Sequence, residues 1–480
     1  MNYSMIIYIL GWILSCEGIL ILPSYIVALV YGEFASGNCL LIAAALCLIL
    51  GFPITRKKPS DSVFYTKEGF VTVALCWIVI SIMGSLPFVF SGVIPNPIDA
   101  LFETVSGFTT TGASILTDVD AIPKCLIFWR SFTHWIGGMG ILVFLLAFIP
   151  MNGGYHMNLM KAESPGPSVE KLFPTVQSTA KTLYKMYLFL TVLQVILLLI
   201  GKMPLFDALT MTFGTAGTGG FGIHNDSAAS YSPYCQYIIT IFMILFGVNF
   251  SVYFLIMIHK TRKALQTEEI RYYLGIIAAC VLIIMFNIRH MYPTLEETFR
   301  HAAFQVASII TTTGYSTTDF NYWPELSRNI LLLIMFVGAC AGSTGGGIKV
   351  SRIIILVKSI GQELRHFIHP RSVTKITVDR KVVSSESLRG IYAFLAAYLL
   401  IFVISVLLVS LDNLDGITNI SAVASAFNNI GPGLNEVGPL ANFSVYSNFS
   451  TFILTMDMLA GRLEIFPLLL LFTPETWKKF

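Results

Sequence analysis

Phe108-Thr109-Thr110-Thr111-Gly112-Ala113-Ser114 is echoed further along the chain by Thr311-Thr312-Thr313-Gly314-Tyr315-Ser316. Two looser versions, Ala216-Gly217-Thr218-Gly219-Gly220-Phe221 and Asn428-Asn429-Ile430-Gly431-Pro432-Gly433, complete a series that recurs roughly every hundred residues. Such a period marks repeated structural units. An amphipathic segment of helical length precedes each stretch. In two of them the likeness extends upstream: Asp99-Ala100-Leu101-Phe102-Glu103 stands as far before Gly112 as His301-Ala302-Ala303-Phe304-Gln305 stands before Gly314. A single Thr-Thr-Gly run would read as a helix-breaking turn. Four at similar spacing do not.

The sequence around them is made for lipid. Hydrophobic residues supply 55% of the chain and charged residues 12%, about half the charge of a soluble domain, which carries roughly 25%. Mean hydropathy is +0.74. Apolar segments of spanning length lie near 5–30, 37–54, 69–92, 126–150, 183–201, 236–258, 272–288, 329–360, 391–411 and 447–472. The first reads as a membrane helix rather than a signal peptide, because no positive charge precedes it and Glu17 interrupts it. The 8 cysteines form no CxxC pair, which argues against a disulfide framework or a zinc site. The histidines show no HExxH spacing, no serine or cysteine has a recognisable catalytic context, and an enzyme is not expected. A net charge of +3 gives no pointer to nucleic acid.

Between the later apolar segments sit shorter ones, each followed by one of the glycine stretches. The expected fold is therefore all-α and membrane-embedded: four parallel helix–pore loop–helix repeats in pseudo-fourfold arrangement, plus two extra N-terminal membrane helices. The divisions are 1–60 for those two helices, then 61–160, 161–260, 261–370 and 371–480 for the repeats. Lys and Arg cluster on alternate loops, among them Arg56, Lys57, Lys58, Lys260, Arg262, Lys263, Lys358, Arg365 and Arg371, whereas the opposite loops carry only Lys124, Arg130, Lys202, Arg289, Arg300 and Arg328. The positive-inside rule makes the first set cytoplasmic, places both termini inside, and has the short helices enter from outside. The stretches 361–389 and 161–182 read as cytoplasmic linkers.

Glycine-bearing loops at membrane depth suit a cation pore. A dehydrated cation needs oxygens, and backbone carbonyls supply them without fixed charge. Aiming carbonyls at an axis requires backbone conformations that glycine permits. Re-entrant helices would point their partly negative C-terminal ends at the site. The run Gly342-Ser343-Thr344-Gly345-Gly346-Gly347 falls inside an apolar segment that otherwise reads as one long helix, at a cost of about 1 kcal/mol per glycine. It predicts a broken helix. A phosphate-binding loop, close packing through small residues and a mobile barrier are the three readings of it. Arg462, in the last apolar segment with Asp457 and Glu464 nearby, either forms a structural salt bridge or sets a positive charge near the pore.

These loops, with Ala162-Glu163-Ser164-Pro165-Gly166-Pro167, the run Gly338 to Lys349 and Gly461-Arg462-Leu463-Glu464, resemble the membrane subunit of the Trk/Ktr/HKT potassium transporters, and most closely the Trk type. The resemblance covers nearly the whole chain. It implies channel-like potassium uptake across the bacterial inner membrane, with a secondary transporter coupling potassium to protons or sodium as the alternative. It implies a homodimer, gated by a TrkA-like cytoplasmic ring that carries NAD(H) or ATP/ADP. This chain would hold no cofactor, and potassium would be its substrate. The family's one key glycine per repeat maps to Gly112, Gly219, Gly314 and Gly431. Coordinating carbonyls are then expected from these and from Thr110, Thr111, Gly217, Thr218, Thr312, Thr313, Asn429 and Ile430. The mobile-barrier reading of 342–347 and a pore-facing Arg462 are what the family implies. Two loops depart from the TTTG pattern, so the ring is chemically uneven.

Overall fold

Lipid leaves the backbone no hydrogen-bond partner but itself, so long apolar runs become helices. The computed structural model describes residues 1–57, 59, 65–140, 176–371 and 374–478. The Ala162–Pro167 stretch, most of the 161–182 linker and the second half of segment 126–150 lie outside the described residues. Two long helices, α1 (Tyr3–Tyr31) and α2 (Phe34–Arg56), form a hairpin that turns at Gly32, whose φ is +74°. They pack through glycines: a Cβ on Gly51 would stand 2.7 Å from the Gly11 carbonyl oxygen.

The rest follows in chain order. α3 (Thr66–Phe90), α4 (Pro97–Phe108) and α5 (Lys124–Gly138) come first. Then come α6 (Val176–Ile200), α7 (Leu205–Gly217), α8 (Pro233–Phe246), α9 (Phe250–Met257) and α10 (Thr261–Leu265). They are followed by α11 (Glu268–Ile288), α12 (Leu295–Ile310), α13 (Glu325–Met335) and α14 (Val350–Ile368). Last are α15 (Ser385–Val409), α16 (Gly416–Asn428), α17 (Asn448–Arg462) and α18 (Phe466–Phe472). The chain is thus a helical, multi-span membrane protein.

Helices α4, α7, α12 and α16 have 12, 13, 16 and 13 residues, too few to cross about 30 Å of hydrocarbon. Their starts are built in the sequence. Asn96, Thr294 and Asp415 accept from the first-turn N–H groups of α4, α12 and α16.

Two expectations change. Among the described residues six helices are long and apolar enough to span, or seven if α8 and α9 count as one, against about ten expected. Three of the missing spans follow the second, third and fourth glycine loops, and the segment after the first loop is only half described. α8 bends by 91° into α9. α13 and α14 are separated by a non-helical stretch, as the glycine run predicts. α17 stops before Glu464 and Ile465, whose φ values are +54° and +71°. The cause is visible at one of these helix ends: a Cβ on Gly461 would fall 2.1 Å from the Phe427 carbonyl oxygen. The end of α17 thus packs tightly under the end of the short helix α16. The linker 361–389 is also less bare than expected. α14 runs into it, and a small antiparallel hairpin of β1 (Thr377–Val378) and β2 (Lys381–Val382) follows. The hairpin docks on α11, where Asp379 accepts from the Glu268 N–H at 2.7 Å.

Candidate functional site

The four short helices end alike. One residue past the helical turn is left-handed: Thr110, Thr218, Thr312 and Asn429 have φ of 56°, 56°, 58° and 56°. The N–H groups of these residues return to the carbonyls of Gly107, Thr215, Ile309 and Ala426 at 3.1–3.2 Å. The next N–H groups, of Thr111, Gly219, Thr313 and Ile430, reach back to Ser106, Gly214, Ser308 and Ser425 at 2.8–2.9 Å. This is the Schellman termination, which ordinarily takes glycine at the left-handed position. Three threonines there are a strained choice. Two residues further on, Gly112, Gly220, Gly314 and Gly431 have φ of 81°, 71°, 88° and 106°.

This register corrects the second loop. Gly220, not Gly219, stands where Gly112, Gly314 and Gly431 stand. Gly219 matches Thr111, Thr218 matches Thr110, and Gly217 falls back to the place of Thr109. Thr218-Gly219-Gly220 offers two glycines in sequence, and only the hydrogen-bond pattern tells them apart.

The loops meet in a ring. A Cβ on Gly112 would stand 1.9 Å from the Gly219 oxygen, on Gly220 1.7 Å from that of Thr313, and on Gly314 2.1 Å from that of Ile430. A Cβ on Gly431 would stand 2.9 Å from that of Thr111. Each loop therefore touches the next in cyclic order, and one carbonyl per loop lies at each joint. All four glycines border one cavity. Hydroxyls tie the loops back: Thr109 to Thr111 at 2.8 Å and Thr311 to Thr313 at 2.7 Å. Asn429 Nδ2 donates both to Thr111 Oγ1 and to the Met458 carbonyl, at 2.9 Å each.

A buried ion pair collars the first two loops. Arg130 Nε meets Glu103 Oε1 at 2.5 Å, with both side chains nearly wholly buried. Glu103 also accepts from the Ile115 N–H at 2.9 Å, and Arg130 donates to the Gly222 carbonyl at 2.8 Å. Sequence reasoning placed Arg130 in an outer loop. Its signal was an ionisable residue inside the apolar run Cys125–Gly138, which in a membrane helix marks a buried partner. At the cavity mouth His224 Nδ1 pairs with Asp120 Oδ1 at 2.7 Å, joining the segments that follow the first and second loops.

The stretch 336–349 lies on the other side of the ring, against the helix-end residues. Gly346 N–H donates to Thr312 Oγ1 at 2.6 Å, Cys340 N–H to the Gly247 carbonyl at 3.1 Å, and Thr344 Oγ1 to that of Phe246 at 3.2 Å. Glu269 ties it to the start of α14, accepting from the N–H groups of Ala341 at 2.8 Å and Ser351 at 3.1 Å. Lys349 Nζ donates to the carbonyls of Gly345 and Gly346. Arg462 reaches the carbonyls of Thr344 and Gly138, at 3.0 Å each, and of Gly137, with Thr110 Oγ1 at 3.3 Å. Glu464 pairs with Arg352, and Asp457 accepts from Ser405. Gly342, Ser343, Thr344, Gly345, Gly346, Gly347 and Arg462 are thus brought together beneath the loops. Glu269, Lys349 and the Glu103–Arg130 pair were not singled out in the sequence as site residues.

Comparison with known proteins gives a consistent picture. Residues 38–479 match the family model TrkH, described as cation transport protein. The chain is 37% identical over 492 residues to the Trk system potassium uptake protein TrkH of Salmonella typhimurium, and 36% to that of Escherichia coli K12. The alignments cover 100% of each chain. The crystal structure of the potassium transporter TrkH from Vibrio parahaemolyticus superposes with a TM-score of 0.89 at 33% identity, again covering 100% of both chains.

Two expected outcomes follow from the collar and the mouth. Arg130→Ala leaves the Glu103 carboxylate buried without its cation, and should cost about 3–5 kcal/mol, read as a lower Tm in detergent. Burial of the His224 ring lowers its pKa, but the hydrogen bond and charge of Asp120, with Asp207 behind them, outweigh this and raise it above 6.5. The His224 hydrogen bond in turn lowers the Asp120 pKa. The mouth pair is therefore complete below the ordinary histidine pKa and is lost as pH rises through the raised value. On the acid side it is lost as pH falls through the lowered Asp120 value. An NMR titration should find His224 above 6.5, and Asp120→Asn should bring it down.

Proposed function

The chain belongs to the TrkH family of cation transport proteins, and we propose that it is the ion-conducting subunit of a potassium-uptake system, passing potassium through the ring of four glycine loops. The observation that carries this reading is the cyclic contact of each ring glycine with a carbonyl of the next loop. A potassium ion on the ring axis exchanges hydration water for the carbonyl oxygens of Thr111, Gly219, Thr313 and Ile430, and then for those of the residues on either side. Neutral oxygens hold it weakly enough to let it go. The four short helices aim their partly negative C-terminal ends at it, which favours a cation over an anion. The four units then stand as parallel repeats about one axis, with α1 and α2 outside the repeat pattern.

The cavity bordered by the ring glycines faces outside, and stretch 336–349 faces the cytoplasm. Supporting this sidedness, Lys57, Lys260, Arg262, Lys263, Arg271, Lys358 and Arg365 sit with the latter side. Both termini are then cytoplasmic, in a bacterial inner membrane. Residues 342–347 act as the gate. Their carbonyls bind the cations Lys349 and Arg462 directly below the ring, and these charges oppose a second cation there. A homodimer and a TrkA-like regulatory ring, with NAD(H) or ATP/ADP on that partner, complete the system in line with the Trk-system relatives.

Expression in a bacterium lacking potassium uptake, with and without a TrkA-like partner, tests the function. Growth at low potassium is expected, and failure despite good membrane expression with a matched partner overturns the reading. Flux that needs a proton or sodium gradient would make it a coupled transporter instead. Gly112→Val should abolish selective flux, because its Cβ would overlap the Gly219 carbonyl at a φ that valine avoids. Deleting residues 342–347 should raise flux measured without the partner, and unchanged, still-regulated flux would count against the gate.

A further inference from the structure

We propose that His134 is the positioning residue of the second loop: its backbone carbonyl and its imidazole take the places of the two threonines that brace the first and third loops, and the imidazole sets the Gly219 carbonyl and the discrimination between potassium and sodium. This rests on reading the ring as the conduction filter.

The argument starts from a vacancy in the sequence. In the first loop the residues three and one before the ring glycine are Thr109 and Thr111. Their hydroxyls pair at 2.8 Å, and that of Thr109 is anchored on the Val105 carbonyl at 2.6 Å. The third loop repeats this with Thr311 and Thr313 at 2.7 Å, anchored on the Ala307 carbonyl at 2.7 Å. In the second loop both positions are glycine, Gly217 and Gly219. The room for their side chains is already taken. A Cβ on Gly217 would stand 2.2 Å from the His134 carbonyl oxygen and 3.2 Å from its Cβ. A Cβ on Gly219 would stand 2.2 Å from His134 Nδ1, 2.4 Å from Cγ and 2.6 Å from Cε1. One residue of α5 fills both threonine positions.

His134 is held there. It is fully buried, and its imidazole stacks on Phe221 with centroids 4.2 Å apart and planes 17° apart. Phe221 carries the Arg130 guanidinium 3.5 Å from its ring centre. The order guanidinium, phenyl, imidazole, Gly219 puts two rings between the Arg130 charge and the Gly219 backbone. Apart from an approach to the Ser106 backbone, neither ring nitrogen has a hydrogen-bond partner. His134 presses a flat, rigid ring on the backbone that carries a ring carbonyl.

The test uses the full chain in proteoliposomes, reading the ratio of potassium to sodium flux. Wild-type chain that passes no potassium would sink the functional reading itself, independently of His134. Given wild-type flux, His134→Ala should lower the ratio roughly five-fold or more, since nothing then braces the second loop. The double variant Gly219→Thr with His134→Ala returns a threonine to the second loop in the space vacated, and should recover the ratio to within about two-fold of wild type. A wild-type ratio in His134→Ala overturns the proposal, and so does a lowered ratio that the double variant fails to recover. If His134→Ala does not reach the membrane folded, the double variant decides alone. A folded, selective double variant supports the proposal, and an unfolded or unselective one overturns it.

Discussion

Everything at the centre of this molecule depends on how closely backbone can approach backbone. Three of the four ring joints leave a Cβ no more than 2.1 Å from a neighbouring carbonyl oxygen, far inside any allowed contact. Glycine at these positions sets the bore of the ring. A side chain would force the loops apart. The fourth joint, between Gly431 and the Thr111 oxygen, is looser by almost an ångström. It belongs to the loop in which Asn429 and Ile430 replace threonines, and there the Asn429 amide reaches across to Thr111 Oγ1. A side-chain hydrogen bond between loops stands in where backbone contact is weaker.

The ring is uniform in backbone and uneven in everything that supports it. The first and third loops are braced from within by paired threonine hydroxyls, and the fourth by an amide. Behind the first and second loops stands a buried ion pair at a place where the third repeat has Gln305, whose amide approaches the Thr318 carbonyl at 3.5 Å. A buried pair of this kind contributes little net stability but holds one geometry, because losing either partner strands a charge. A similar loop backbone is thus reached with different supports. Four loops of differing sequence need only keep the backbone torsions that their shared turn requires.

How much of this could be read in the chain follows from the same distinction. Thr109–Gly112 and Thr311–Gly314 declare themselves, because the strained backbone they form tolerates few residues. The break after α13 was legible as a glycine run. The bend at Gly247–Asn249 and the stop before Glu464 were not, because their causes are close approaches to residues far away in sequence. Thr218-Gly219-Gly220 hid its register for want of a third dimension. Arg130 was misplaced because charge counting assigns a cation to the nearest loop, while its partner Glu103 lies on another helix. The hairpin in 377–382 carries no strong strand signal, and it is held by contacts from α11 and α14.

The left-handed threonines link the ring to what lies beneath it. Each non-glycine residue in that conformation costs about 1–3 kcal/mol and persists only where its surroundings hold it. Two of the three are held from below: Thr312 Oγ1 accepts from the Gly346 N–H, and Thr110 Oγ1 from Arg462, which also grips the Thr344 carbonyl. The third, Thr218, donates to its own loop, to the Gly217 carbonyl. In the proposed gating, movement of residues 342–347 away from the ring would remove the Gly346 contact from Thr312 and the Thr344 contact from Arg462. The strain in the first and third loops is then held by fewer bonds, while the second is untouched. In the proposed gating, a barrier attached in this way is coupled to the third loop directly, to the first through Arg462, and to the fourth where Gly346 packs against Asn428.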